Sequence, residues 1–210
     1  MTSSAPIAQD ARALHRATLA DWLARPEETG AELIGGRIVY KAMPSPEHGR
    51  AQRKLGEALG AFDRRASGSG RPGGWWIVSE VDVVLGDEGV RPDLLGWRRD
   101  RVPELPRPSP GGAVTERPDW IAEVLSASTA SRDLGDKLVL YHAAEVPHYW
   151  VIDPGNRTLL AYRWLREGYV AVLGAGSDKI VRAEPFEALE LRVGLLFGDD
   201  GEAESAPPER

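Results

Sequence analysis

Arg91-Pro92-Asp93, Trp120-Ile121-Ala122-Glu123-Val124-Leu125 and Asp133-x-x-x-Lys137 are the segments on which the reading of this chain turns. The alternation in 118–125 predicts a strand with Ile121, Glu123 and Leu125 on one face and Trp120, Ala122 and Val124 on the other. In a second strand, predicted from Val90 to Trp97, Asp93 shares a face with Leu95 and Trp97. A carboxylate among apolar neighbours costs several kcal/mol unless it is paired or bound to a metal. For either acid alone, a salt bridge or a water-exposed strand end is explanation enough. Two of them on consecutive strands, followed by a misplaced lysine, point to a site.

The lysine is misplaced by helical geometry. A helix is predicted from about Arg132 to Ala144. At roughly 100° per residue, with Asp133 at the origin, Leu134, Leu138, Leu140, Tyr141 and Ala144 make an apolar stripe, and Lys137 falls inside it. Two other readings stand beside a functional one: an i,i+4 pair with Asp133 on the surface, and a lysine snorkelling from the stripe's edge.

Around these segments the chain alternates short strands and helices. Thr18 caps a short helix through Leu23. Gly35-Gly36, between Leu33-Ile34 and Arg37-Ile38-Val39-Tyr40, signals an N-terminal β-hairpin. Ser45 and Pro46 open a helix that places Ala51, Leu55, Ala58, Leu59 and Phe62 on one face. Trp75 to Leu85 reads as one strand; a turn at Asp87-Glu88-Gly89 joins it to the Val90–Trp97 strand as a hairpin. Pro147 to Ile152 reads as a strand covered on both faces. Strands follow at Leu159–Trp164 and Tyr169–Leu173, and one or two more on a sheet edge within 180–197. Glu80 and Asp82 are weaker site candidates on a half-exposed strand face.

The 210 residues suit one sizeable core. Residues 1–17 are expected to be a flexible N-terminus, 18–197 the folded domain and 198–210 an acidic disordered tail. That tail holds five acids and one arginine, which leaves only −2 of the chain's net −6 for the remainder. Overall charge therefore says little about nucleic acid as a partner. The absence of cysteine excludes disulfides and thiolate metal sites and is compatible with the cytoplasm. No stretch has the length and apolarity of a membrane span, and Met1–Asp10 has no signal-peptide pattern. His15, His48, His142 and His148 have no ligand spacing, and His48 reads as a helix-start residue. No phosphate loop and no Gly-x-Ser-x-Gly elbow is present.

Taken in order, Glu32-Leu33-Ile34-Gly35-Gly36-Arg37, Pro44-Ser45-Pro46-Glu47-His48, Arg91-Pro92-Asp93, Trp120 to Thr129, Asp133-x-x-x-Lys137 and Val146 to Pro154 resemble the Uma-two family of restriction-endonuclease-like proteins, within the PD-(D/E)XK nuclease superfamily. The resemblance covers about Thr18 to Phe197. It implies an α/β fold, a restriction-endonuclease-like mixed β-sheet flanked by helices. It also implies Asp93 and Glu123 as ligands of Mg²⁺ or Mn²⁺, joined by the carbonyl of Val124 and by Glu80 at a recurrent acidic position. The superfamily's usual lysine position is occupied here by Leu125, so Lys137 would take that part, assisting the attacking water.

On this reading the chain is a metal-dependent endonuclease acting on DNA, with Asp93, Glu123 and Lys137 catalytic. Arg98, Arg99 and Arg101 are candidates for phosphate contacts, their other reading being a solvated loop. Two further readings stay open: a nuclease-fold binding module without catalysis, and a metal-dependent phosphohydrolase of another substrate. The apolar strand Tyr149–Ile152, with the resemblance, suggests a homodimer.

Overall fold

One long bent hairpin links the two main sheets. The computed structural model describes residues 16–26, 29–41, 43–66, 72–110, 112–126 and 134–199. In it β3 (Trp75–Ser79) pairs antiparallel with β6 (Leu94–Arg98), and β4 (Val83–Leu85) with β5 (Glu88–Val90). Both pairings follow the same count. Stepping on from Ser79–Leu94 sets Glu80 opposite Asp93 and Asp82 opposite Arg91, and reaches Val83–Val90 without a slip. The hairpin expectation therefore holds, but each of its strands is two. They break at Glu80, whose φ of 55° is left-handed, and at Arg91-Pro92-Asp93, where proline cannot donate to a ladder. The tip is Gly86-Asp87, and Glu88 and Gly89 belong to β5 rather than to the turn.

Beyond the corner, β4 and β5 join β1 (Ala31–Ile34) and β2 (Arg37–Tyr40) in a four-stranded sheet of order β2-β1-β5-β4. Gly35 and Gly36, at φ 61° and 73°, make the two-residue turn predicted between β1 and β2. Helix α1 (Leu19–Leu23) starts with a reciprocal capping box between Thr18 and Asp21. It lays Trp22 so closely over Gly89 that a Cβ there would stand 2.4 Å from the indole.

Before the corner, β3 and β6 continue into a six-stranded sheet of order β10-β9-β8-β7-β6-β3. Its other members are β7 (Trp120–Val124), β8 (His148–Asp153), β9 (Thr158–Leu165) and β10 (Gly168–Gly176). Among the described strands of this sheet only β7 and β8 run parallel, and a parallel pair needs a crossover. It contains α3 (Asp136–Ala143). The expected start of this helix near Arg132, and with it Asp133, lies outside the described residues.

Both faces of the sheet are covered. On one, α2 (Pro46–Leu59), capped by Ser45, buries Ala51, Leu55 and Leu59 against Leu94, Trp120, Ala122 and Trp150. Phe186 completes this layer, with ring centroids 4.9 to 5.7 Å from Phe62, Trp75, Trp120 and Trp150. On the other, Leu95, Ile121, Leu125, Tyr149 and Val151 meet Leu140 and Tyr141 of α3 and Ile34, Val83 and Val90 of the smaller sheet. Tyr149–Ile152 is thus buried within a single chain, so it offers no exposed strand for a second copy. Residues 180–197 do not extend the large sheet. They form β11 (Ile180–Val181) paired with β12 (Leu191–Arg192), then a 3₁₀ helix, Val193–Phe197.

Candidate active site

The corner of the hairpin brings the acids together. Asp93 precedes β6 by one residue, and one step beyond the Leu94–Ala122 pair sets it opposite Glu123. Opposed residues of an antiparallel pair project to the same side. The contact is tighter than register alone requires: the Val124 N–H donates to Asp93 Oδ2 at 2.7 Å. Val124 therefore enters the site through its amide, next to the carbonyl expected as a ligand.

Glu123 is held by α3. Lys137 Nζ donates to Glu123 Oε1 at 2.8 Å, and the Tyr141 hydroxyl donates to the same oxygen at 2.6 Å. One helical turn separates the two donors, so one helix face serves one carboxylate. Burial first, then the charge of Glu123, push the Tyr141 phenol well above its ordinary pKa, and it remains a donor. Lys137 points inward as the wheel predicts, only 2 % exposed, whereas Leu134, placed in the same stripe, is exposed. Its other flank is Glu32 of β1, whose Oε1 sits 3.0 Å from Nζ and accepts the Arg91 N–H at 3.0 Å. Glu32 is fully buried, and its Oε2 has no hydrogen-bond partner.

Asp93 is held from the N-terminal side. Lys41, just past β2, donates to Asp93 Oδ1 at 2.6 Å, to Glu80 Oε2 at 3.2 Å and to the Arg91 carbonyl at 3.0 Å. His48, in the first turn of α2, reaches Asp93 Oδ2 at 3.2 Å. With a carboxylate as acceptor, Nε2 carries the proton; Nδ1 is buried without a partner. Gln52, one turn later, donates to Glu80 Oε1 and to the Asp93 carbonyl, both at 3.0 Å. Burial works against ionised Asp93, but the hydrogen bond from His48 and the charge of Lys41 outweigh it and hold the acid well below the usual carboxylate range. Burial also works against the Lys41 cation. Asp93, then Glu123 and Glu80, overcome it and hold Lys41 above its ordinary value.

Asp93, Glu123, Lys137 and Glu80 are thus assembled at one corner. Arg98, Arg99 and Arg101 are not. They lie at and just past the far end of β6, which Arg98 closes, roughly 17 Å along the strand from Asp93. There Arg98 pairs with Asp100, Arg99 lies 3.3 Å from the Trp76 ring centroid, and Arg101 pairs with Asp119. Asp82 is occupied by Arg91 through two bonds of 2.7 Å. Sequence reasoning missed Glu32, Lys41, Gln52 and Tyr141, and took His48 for a helix-start residue. Only the burial of Glu32 inside the apolar run Ala31–Ile34 left a local signal. A cavity of about 740 Å³, bounded by Ile34, Arg37, Glu88, Val139 and Leu140, is lined by neither Asp93 nor Glu123.

Among the described residues, no group of three or more His, Asp or Glu side chains is arranged as a metal cluster. The donors nevertheless suit a hard divalent cation, since they are oxygens throughout. Glu32, Asp93 and Glu123 are buried carboxylates, Glu80 stands beside them, and Lys41 and Lys137 are the lysines paired with them. Carboxylates are in excess among these groups, and the Lys41 ammonium already sits in an oxygen cage.

Comparison with known proteins agrees with this architecture. A family described as "Putative restriction endonuclease", Uma2, matches residues 16–194. A crystal structure of a "putative nuclease belonging to DUF820" from Anabaena variabilis superposes with a TM-score of 0.66 at 23 % identity, covering 86 % of this chain and 97 % of the other. At that identity the likeness is one of fold. No curated protein matches the chain. The family match runs from ahead of α1 to the start of the 3₁₀ helix and takes in every residue at the corner, so the chain belongs to the Uma2 family.

Proposed function

We propose that this protein is a metal-dependent endonuclease that hydrolyses DNA phosphodiester bonds. One observation carries the reading: two buried carboxylates, Asp93 and Glu123, stand opposite each other at the same end of adjacent strands, each tied to a lysine. Mg²⁺ or Mn²⁺ would be held by Asp93 and Glu123, with Glu80 and the Val124 carbonyl as further oxygen donors, and would polarise a phosphate oxygen and acidify a bound water. The chain's own part is positional. Val124 N–H and His48 fix Asp93 Oδ2, Lys137 and Tyr141 fix Glu123 Oε1, and Gln52 steers Glu80. These donors hold the carboxylates in place as outer-shell partners of the ligands that would bind the metal.

The same ion pairs favour a second reading, a nuclease-fold module that binds nucleic acid without cutting it, because both acids are already neutralised from within the chain. Supercoiled plasmid incubated with Mg²⁺ or Mn²⁺ separates the two. The endonuclease reading expects nicking by the wild type and none by Asp93→Ala. Equal nicking by both points to a contaminant or a different site. No nicking by the wild type with either metal supports the binding module. Turnover of a small phosphodiester without plasmid cleavage would move the substrate away from DNA.

A further inference from the structure

The site contains two lysines in different circumstances. Lys137 is enclosed by Glu32 and Glu123, with all three side chains 1–2 % exposed. Lys41 is 20 % exposed, and Glu80, one of its partners, is 43 % exposed. The Lys41 backbone is fixed where the chain leaves β2, its N–H donating to the Gly30 carbonyl at 3.0 Å. Its ammonium has three protons, and three oxygens meet them: Asp93 Oδ1, Glu80 Oε2 and the Arg91 carbonyl. Two carboxylates and a carbonyl converging on one positive charge also make a donor set for a hard divalent cation.

We propose that Lys41 is the mobile lysine of this site: it fills the oxygen cage of Asp93, Glu80 and Arg91 as an internal cation, leaves when a divalent ion held with Glu123 takes the Asp93 and Glu80 oxygens, and then meets the substrate phosphate. This rests on the metal-dependent reading above. A metal on the Asp93 and Glu80 oxygens would set a second positive charge against the ammonium, so the two compete for them. A four-carbon stem with a compact charge can swing from the cage into solvent without moving the backbone. The exposed Glu80 side provides the opening. Lys137 has no such opening and is a positioning residue for Glu123.

Two measurements test this. Reductive methylation of the wild-type protein, read by mass spectrometry, should label Lys41 several-fold faster after Mg²⁺ is added, while Lys54 on α2 is unchanged. Titration with Mn²⁺ alone should show Lys41→Met binding about tenfold more tightly than wild type, while the variant cleaves plasmid about a hundredfold more slowly. Lys41 labelling that is unchanged or slowed by Mg²⁺ overturns the proposal, and so does equal or weaker Mn²⁺ binding by Lys41→Met. The labelling arm needs no substitution and is independent of whether the variant folds. Both metal effects, with plasmid left intact by the wild type, would sink the endonuclease reading and keep the cage. A wild type that cleaves plasmid but shows neither effect does the reverse.

Discussion

Asp93 Oδ2 accepts the backbone N–H of Val124 at 2.7 Å, which fastens the acid ahead of β6 to the strand that carries Glu123. The carboxylate proposed as a metal ligand thus also ties the segment ahead of β6 to β7. Asp93→Ala should therefore do two things. Plasmid cleavage should disappear, and the unpaired Val124 amide should contribute about 1–3 kcal/mol of destabilisation. Urea denaturation beside the plasmid assay checks both; an undiminished midpoint would deny the structural part.

Lys137 predicts the opposite balance. Replacing it with methionine keeps the volume but leaves Glu32 and Glu123 buried without their shared cation, at a cost of about 3–5 kcal/mol. Glu32→Gln should be milder, because an amide oxygen still accepts the Arg91 N–H. A Lys137→Met protein as stable as wild type would show that the two glutamates have another source of compensation.

The acid limb of stability should trace Asp93. In EDTA, a carboxyl held below its unfolded value near 4 stabilises the fold above that pH, and the contribution is lost as pH falls through the folded value. Lys41 has the reverse sign: its contribution is complete below about pH 10 and fades as pH rises through its elevated folded value. Denaturation midpoints of wild type and Asp93→Asn should converge below pH 4. A gap that stays constant down to pH 2 would remove Asp93 as the cause.

Phe186 tests whether the last segment folds with the rest. Its ring touches Phe62, Trp75, Trp120 and Trp150, and truncation to alanine should cost about 3–5 kcal/mol. Tryptophan fluorescence and far-ultraviolet circular dichroism should still report one coincident transition. Two separated transitions would mean that residues 180–197 unfold on their own.

What could be read from the chain depended on how local the cause was. Period-two alternation exposed both faces of β7, and the helical wheel placed Lys137 inward, because those patterns lie within a few residues. The Gly35-Gly36 turn was equally local. The sheet switch was hidden, since Glu80 and Asp82 alternate with valines as on a half-exposed strand, while residues 80–82 leave the ladder and Glu80 turns left-handed. The partners of Asp93 were hidden for another reason. Lys41 and His48 come from elsewhere in the sequence, and neither has a neighbour pattern that announces a buried carboxylate. Arg99 and Arg101 looked free because their acids lie far off in the sequence, Asp63 for Arg99 and Glu116 and Asp119 for Arg101.

The uninterrupted count through the bent hairpin gears the two sheets together. Deleting one residue between Ser79 and Val83 would not merely shorten a bend. Every side chain of β4 would change faces relative to β5, unless one residue were also removed from 91–93. Length variation should thus be harmless at the Gly86-Asp87 tip and ruinous at the elbow unless it comes in matched pairs.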